Sequence, residues 1–313
     1  MSIQNAVKQL QLGPTFTERY MQYTSSYQPR DGDVFLVSYP KCGSMWMQHI
    51  LYGIFNSGIT EVPTMEERQR AIPSMEFAMI EGAELGKPPL AIKTHLPFHL
   101  QPFSTKAKYI FITRNPYDCC VSYFYFVKSR PFSNLQEATF CHFVNMFLRG
   151  NVPFGDYFDH LLSWYKHRHD GNVLILTYES LKRDTSGKIL DIADFLDQKR
   201  CGDHLRQNPQ ALDAVLDLSS FQKMKSRNAD YNSWSSKLQK LQETANQEAE
   251  HTTGEVQGEV VEKRVLGDRT RKGIVGDWKN HFSPEQVTQM KERIALKTRG
   301  TDVMSLWAHD GLP

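Results

Sequence analysis

Four short apolar runs recur along the chain, each closed by a polar turn. They are Asp33–Ser38 (DVFLVS), Leu90–Lys93 (LAIK), Tyr109–Thr113 (YIFIT) and Val173–Leu176 (VLIL). All are rich in β-formers, and none alternates cleanly between apolar and polar positions. A strand covered on both faces reads this way, whereas a half-exposed strand alternates. Three runs lead straight into stretches with helical spacing: Ser44–Phe55, Pro116–Lys128 and Tyr178–Leu196. Strand, turn and helix, repeated, predict the α/β class. The expected architecture is a single domain over residues 1–313, with a central, mostly parallel sheet flanked by helices. In doubly wound sheets ligands sit beyond the carboxyl ends of the strands, so the turns after the runs are where chemistry is expected.

One stretch breaks the pattern. From Ser235 to Asp277 there is no aromatic residue, and between Lys237 and Lys263 six Glu face three Lys. A polar insert at about 232–265 follows, read either as an exposed helix and loop or as a lid over the site. Composition elsewhere is that of a globular protein, with 40% hydrophobic and 23% charged residues, enough for a sizeable core. The net charge of +2 gives no strong overall field, which argues against general nucleic-acid binding. Any anion site must be local. The five cysteines (Cys42, Cys119, Cys120, Cys141, Cys201) form no CxxC pair, so neither a disulfide framework nor a zinc site is expected. The N-terminus lacks a signal-peptide pattern, and no run approaches the ~18–20 apolar residues of a membrane span. A cytoplasmic protein with no membrane partner is the expectation.

The turns carry the candidate chemistry. After the first run comes Tyr39-Pro40-Lys41-Cys42-Gly43-Ser44-Met45-Trp46, which enters a helix. Gly43 permits close backbone approach, the helix N-terminus offers unpaired N–H groups, and Lys41 adds a charge. The set suits phosphate or sulfate, or else it is a plain turn with a solvated lysine. It is not a Walker A loop, because its lysine precedes its glycine. After the second run, Lys93-Thr94-His95 places a histidine where it can act as general base at neutral pH, or simply cap the turn. After the third, Arg114 precedes a helix that Pro116 can open, with Ser122 two turns in. Arginine and hydroxyl together clamp a phosphate, unless Arg114 serves Asp118. Arg271-Lys272-Gly273 forms a second basic turn.

Taken in order, these segments resemble one family. YPKCGSMW (39–46) resembles the YPKSGTxW loop of the cytosolic sulfotransferases, and KTHLP (93–97) matches their KTHLP. RNPYDCCVSYFYF (114–126), SSFQKMK (219–225) and RKGIVGDWKNHF (271–282) resemble their RNPKDxxVSYYHF, TSFxxMK and RKGxxGDWKxxF. The resemblance runs from about Asp31 to Phe282. It implies a P-loop-kinase-like fold, no metal, and 3′-phosphoadenosine 5′-phosphosulfate (PAPS) as sulfuryl donor, with 3′-phosphoadenosine 5′-phosphate (PAP) as product. The acceptor it implies is a small hydrophobic phenol, monoamine, steroid or alcohol. By the same resemblance Lys41, Cys42, Gly43, Ser44, Met45 and Trp46 hold the 5′-phosphosulfate end, with Lys41 on the bridging oxygen. Arg114, Ser122, Arg271, Lys272 and Gly273 take the 3′-phosphate. Trp46 and Phe221 sandwich the adenine, and Tyr178 and Ser219 contact its edge. His95 is the implied base for in-line transfer, and Lys93 steadies the sulfuryl group.

Cys42 stands where the family carries Ser, and Met45 lacks a hydroxyl often found there. The family's dimer motif, KxxxTVxxxE, reads here as Lys279, Ser283-Pro284 and Thr288, which points to a monomer or weak homodimer. The Tyr231–Arg271 span is some twenty residues longer than the family implies. Phe77, Phe98, Phe124, Phe126 and Phe147 either line an apolar acceptor slot or are core. Two other functions stay open at this point: an inactive nucleotide-binding or acceptor-sequestering protein of the same fold, and a metal-dependent phosphoryl transferase.

Overall fold

The apolar runs become the four strands of one sheet. A computed structural model of the chain describes residues 3–12, 14–76, 90–129, 135–227, 229–230, 233 and 270–313. Strand β1 is Val34–Val37, β2 is Ile92–Thr94, β3 is Lys108–Thr113 and β4 is Val173–Thr177. Their order is β2-β1-β3-β4, and every pairing is parallel. Alternate strand residues enter two separate cores. Phe35, Val37, Tyr109, Phe111 and Val173 join one, while Val34, Leu36, Ile110, Ile112 and Leu176 join the other. Both faces are therefore covered, which is why the strands show no polar alternation.

Helix Ser44–Phe55 covers one face together with Ile189, Ile192, Ala193 and Val215. Helices Pro116–Lys128, Phe140–Arg149 and Tyr157–Tyr165 cover the other. The chain leaves β1 towards β2 and leaves β3 towards β4, in opposite directions. The crevice between the carboxyl ends of β1 and β3 is thus the switch point where such sheets bind ligands.

Strand ends shift by up to two residues from the apolar runs, and two departures have a local cause. The second strand begins at Ile92, not Leu90, because Leu90 donates its N–H to Ala71 O at 2.8 Å before the register with β1 starts at Phe35↔Ile92. The stretch expected as one helix over Tyr178–Leu196 is two, Tyr178–Arg183 and Thr185–Asp197. Asp184, at φ −138° and ψ 76°, breaks it and caps the second helix by accepting from Gly187 N. Apart from residue 233, the polar insert at about 232–265 lies outside the described residues. Among the described residues no helix is long and apolar enough to cross a membrane.

Candidate functional site

At the carboxyl end of β1 the chain turns sharply. Lys41 sits at φ 70° and Gly43 at φ 107°, both left-handed. A Cβ on Gly43 would meet Tyr178 Cδ2 at 3.0 Å and Ile112 Cδ1 at 3.2 Å, so the position needs glycine. Helix Ser44–Phe55 opens here with no side-chain cap. The N–H groups at its first turn therefore face the crevice without a side-chain acceptor, which is the arrangement of an anion cradle. The Lys41 ammonium lies 4.5 Å from the centroid of the Phe126 ring. The Cys42 thiol turns away into the core, fully buried 3.7 Å from Cys119 Sγ. Only its backbone belongs to the loop's working face, so the Ser-to-Cys departure changes the core and not the cradle.

At the end of β3, Asn115 caps the next helix by accepting from Asp118 N at 2.8 Å, and Pro116 occupies its first position. Arg114 is buried. Its guanidinium lies 4.4 Å over the Tyr178 ring and donates to Ile274 O at 2.9 Å, 3.8 Å from Asp118. Its Nε is buried with no hydrogen-bond partner among the described residues. Ser122 lies half-buried two turns along. Asp118 accepts from Gly276 N at 2.7 Å and Trp278 N at 3.0 Å, which docks the second basic turn beside the first. There Arg271 and Lys272 both donate to Asp277, at 2.5 and 2.8 Å. Burial pushes the Asp277 carboxyl up, but these two donors outweigh it and hold it well below the usual carboxylate range. A Cβ on Gly273 would clash with the Phe221 ring, so the turn's backbone packs against that ring.

Tyr178 joins the two ends. Its ring meets Trp46 edge-on at 5.3 Å, carries Arg114 and abuts Gly43. Trp46 Nε1 is buried without a hydrogen-bond partner among the described residues. Ser219 is buried, and its hydroxyl donates to Val215 O at 2.8 Å, which leaves it only acceptor capacity for a ligand.

His95 lies at the end of β2, beside the cradle. Its Nδ1 is 2.7 Å from Ser38 O. A carbonyl can only accept, so in the neutral ring Nδ1 carries the hydrogen and Nε2 the lone pair. The Phe154 ring packs against it at 5.2 Å. His160 donates Nε2–H to His95 O at 3.1 Å, and burial and the His95 charge push its own pKa down to about 3. Lys93, also buried, donates to Ser74 Oγ at 3.2 Å and lies 3.8 Å from Glu76.

Sequence reasoning missed Ser38, Glu76 and Asp277, and it gave Asp118 only as a partner for Arg114, from which it lies 3.8 Å. Ser38, Glu76 and Asp118 act on backbone groups or on neighbours distant in the chain, which no local pattern marks, whereas Asp277 binds basic side chains five and six positions before it. The phenylalanines divide. Phe126 borders Lys41, but Phe124 and Phe147 are buried core, and Phe98 packs on His167 and Trp164. Phe77 lies outside the described residues.

A parallel α/β sheet with an anion cradle at the end of β1, a second cluster of basic groups beside the end of β3 and a histidine beyond the cradle at the end of β2 suits an anionic ligand charged at both ends. Comparisons with known proteins give the class. The family model for the sulfotransferase domain matches residues 31–302. The amine sulfotransferase of Oryctolagus cuniculus is 31% identical over 274 residues, 86% of this chain and 81% of that one. Sulfotransferase 2A1 of Rattus norvegicus is 33% identical over 290 residues, 90% of each chain. The crystal structure of mouse sulfotransferase SULT7A1 complexed with PAP shares the fold at a TM-score of 0.65 and 27% identity, covering 92% of this chain and 93% of that one. The chain belongs to the sulfotransferase family, and its activity is sulfuryl transfer from PAPS. The residues fit that donor: the uncapped helix N-terminus, the orphaned Arg114 Nε and the orphaned Trp46 Nε1 are groups a nucleotide would satisfy.

Proposed function

We propose that this enzyme sulfates a hydroxyl or amine of a small hydrophobic acceptor, with His95 as general base. The observation that carries the reading is the 2.7 Å contact between His95 Nδ1 and Ser38 O, which sets the neutral ring in the tautomer whose Nε2 carries the lone pair, the form a general base needs. Bound PAPS supplies an activated sulfuryl group. Lys41 and the N–H groups at the start of helix Ser44–Phe55 place positive charge at one end of the donor site. Arg114, Ser122, Arg271 and Lys272 hold the 3′-phosphate at the other. Trp46 and Phe221 flank the base, with Tyr178 and Ser219 at its edge. Lys93 steadies the sulfuryl oxygens. Phe126 and Phe154 beside the reacting groups favour an aromatic or apolar acceptor, in keeping with the names of relatives such as the amine sulfotransferase and the 3-alpha-hydroxysteroid sulfotransferase of Cavia porcellus. The degraded dimer motif supports a monomer or weak homodimer, and the family resemblance supports a cytoplasmic setting.

The test is transfer of labelled sulfate from PAPS to a panel of phenols, monoamines and steroid alcohols. His95→Ala is expected to lower turnover by roughly 10²–10⁴-fold. PAP affinity, measured by titration calorimetry, should stay within a few-fold. Native protein that binds PAP tightly yet sulfates nothing would instead be a nucleotide-dependent binding protein.

A further inference from the structure

Beneath the Lys93–His95 turn lies a carboxylate that the reaction as described does not use. Glu76 is 4% exposed and follows a short segment that pairs with β2 through Ser74↔Lys93. Its Oε1 accepts from His95 N at 2.7 Å and from Tyr20 OH at 3.1 Å. Oε2 accepts from the Ser74 hydroxyl and lies 3.8 Å from Lys93 Nζ. Ser74 in turn accepts from Lys93 Nζ at 3.2 Å, so the ammonium reaches the carboxylate both directly and through a hydroxyl. Tyr20 OH also lies 3.3 Å from Thr94 Oγ1, the residue between Lys93 and His95.

From this geometry we infer that Glu76 is a positioning residue for the transfer step, holding His95 and Lys93 in working register through its charge. The inference rests on the reading of His95 as base. Three consecutive residues, Lys93, Thr94 and His95, are tied to one buried platform of Glu76, Ser74 and Tyr20. With its backbone N–H on Glu76 and its Nδ1 on Ser38 O, the histidine is fixed at two points on two different elements. A positional contact alone would not need a charge. An amide or a backbone carbonyl accepts an N–H equally well, and a buried carboxylate is costly to desolvate. What the charge adds is compensation for the buried Lys93 ammonium, and stabilisation of the His95 ring once it has taken a proton. Burial pushes the Glu76 carboxyl up, yet Lys93, His95 and Ser74 together bring it below its ordinary range.

The experiment compares Glu76→Gln with the native chain in three readouts: kcat for sulfate transfer, KM for PAPS, and PAP affinity by calorimetry. Gln keeps the shape and the acceptor for His95 N–H but removes the charge. The expected result is a fall in kcat of roughly 10²-fold, the scale of a displaced catalytic group. KM for PAPS and PAP affinity should stay within about threefold, because the donor cradle is built elsewhere. Tyr20→Phe is the milder second variant, since it removes one donor to Glu76 and preserves ring volume. It should lower kcat roughly threefold to tenfold, the size of one hydrogen bond, again with PAP affinity kept. If Glu76→Gln fails to fold, Tyr20→Phe decides alone. A native kcat in a folded Glu76→Gln, or kcat and PAP affinity falling together in Tyr20→Phe, would overturn the inference. His95→Ala separates this failure from that of the broader reading. If it is inactive while Glu76→Gln is fully active, only the role of Glu76 is lost; if His95→Ala turns over normally, the assignment of the base falls as well.

Discussion

Gly43 shows how little latitude the donor loop has. At φ 107°, with Tyr178 and Ile112 against the missing Cβ, alanine would be both strained and crowded. Gly43→Ala is expected to weaken PAP binding by at least about tenfold, as read by calorimetry. Arg114 is the other residue that admits no close substitute. Its planar fork stacks on Tyr178, donates to Ile274 O and leaves Nε for a ligand, which a lysine cannot imitate. Arg114→Lys should cost roughly 10- to 100-fold in PAP affinity, the range of a lost bidentate contact. It should leave adenosine 5′-phosphosulfate, which lacks the 3′-phosphate, bound as before; equal losses for both ligands would remove Arg114 from the 3′ end. At this scale the sequence was eloquent wherever chemistry clusters locally, as in Lys41–Gly43 or Arg271–Gly273. It was silent on Ser38 and Glu76, whose partners lie 57 and 19 residues away.

Among the elements, two helices carry buried neutral histidines. His49, in Ser44–Phe55, is pushed down to about 3 by burial and by Arg68 beside it. His160, in Tyr157–Tyr165, is likewise near 3. Between those values and the ordinary 6.5, the unfolded chain takes up protons that the folded chain refuses. Stability must then fall as the pH drops below about 6.5, by ~1.4 kcal/mol per pH unit for each histidine. Urea midpoints taken between pH 7.5 and 5 should decline, and a flat profile would contradict the burial of both rings. Helix boundaries were legible where caps are local, since Asn115-Pro116 announces its own start. The break at Asp184 was not, because apolar spacing continues across it and only the capped Gly187 N–H reveals the turn.

Across the molecule, the unalternating strands foretold a sheet with two covered faces, and they did so because each face has its own core. Strand order was not legible. It depends on which runs lie side by side, and that order alone puts the β1 and β3 turns on either side of one crevice. The contact between Gly273 and Phe221 has a consequence for how this chain tolerates change. Phe221 and Gly273 are 52 positions apart in the sequence, so two distant segments of the chain are fastened to each other beside the second basic turn. Doubling the length of a flexible chain that joins two fastened points changes its closure entropy by only ~0.6 kcal/mol. A chain joined directly from 239 to 260 should therefore bind PAP within about threefold of the native protein. Any change in KM confined to the acceptor would show that those residues had been serving substrate choice. Growth at this point is a route by which a fixed nucleotide grip can acquire new acceptors without being rebuilt.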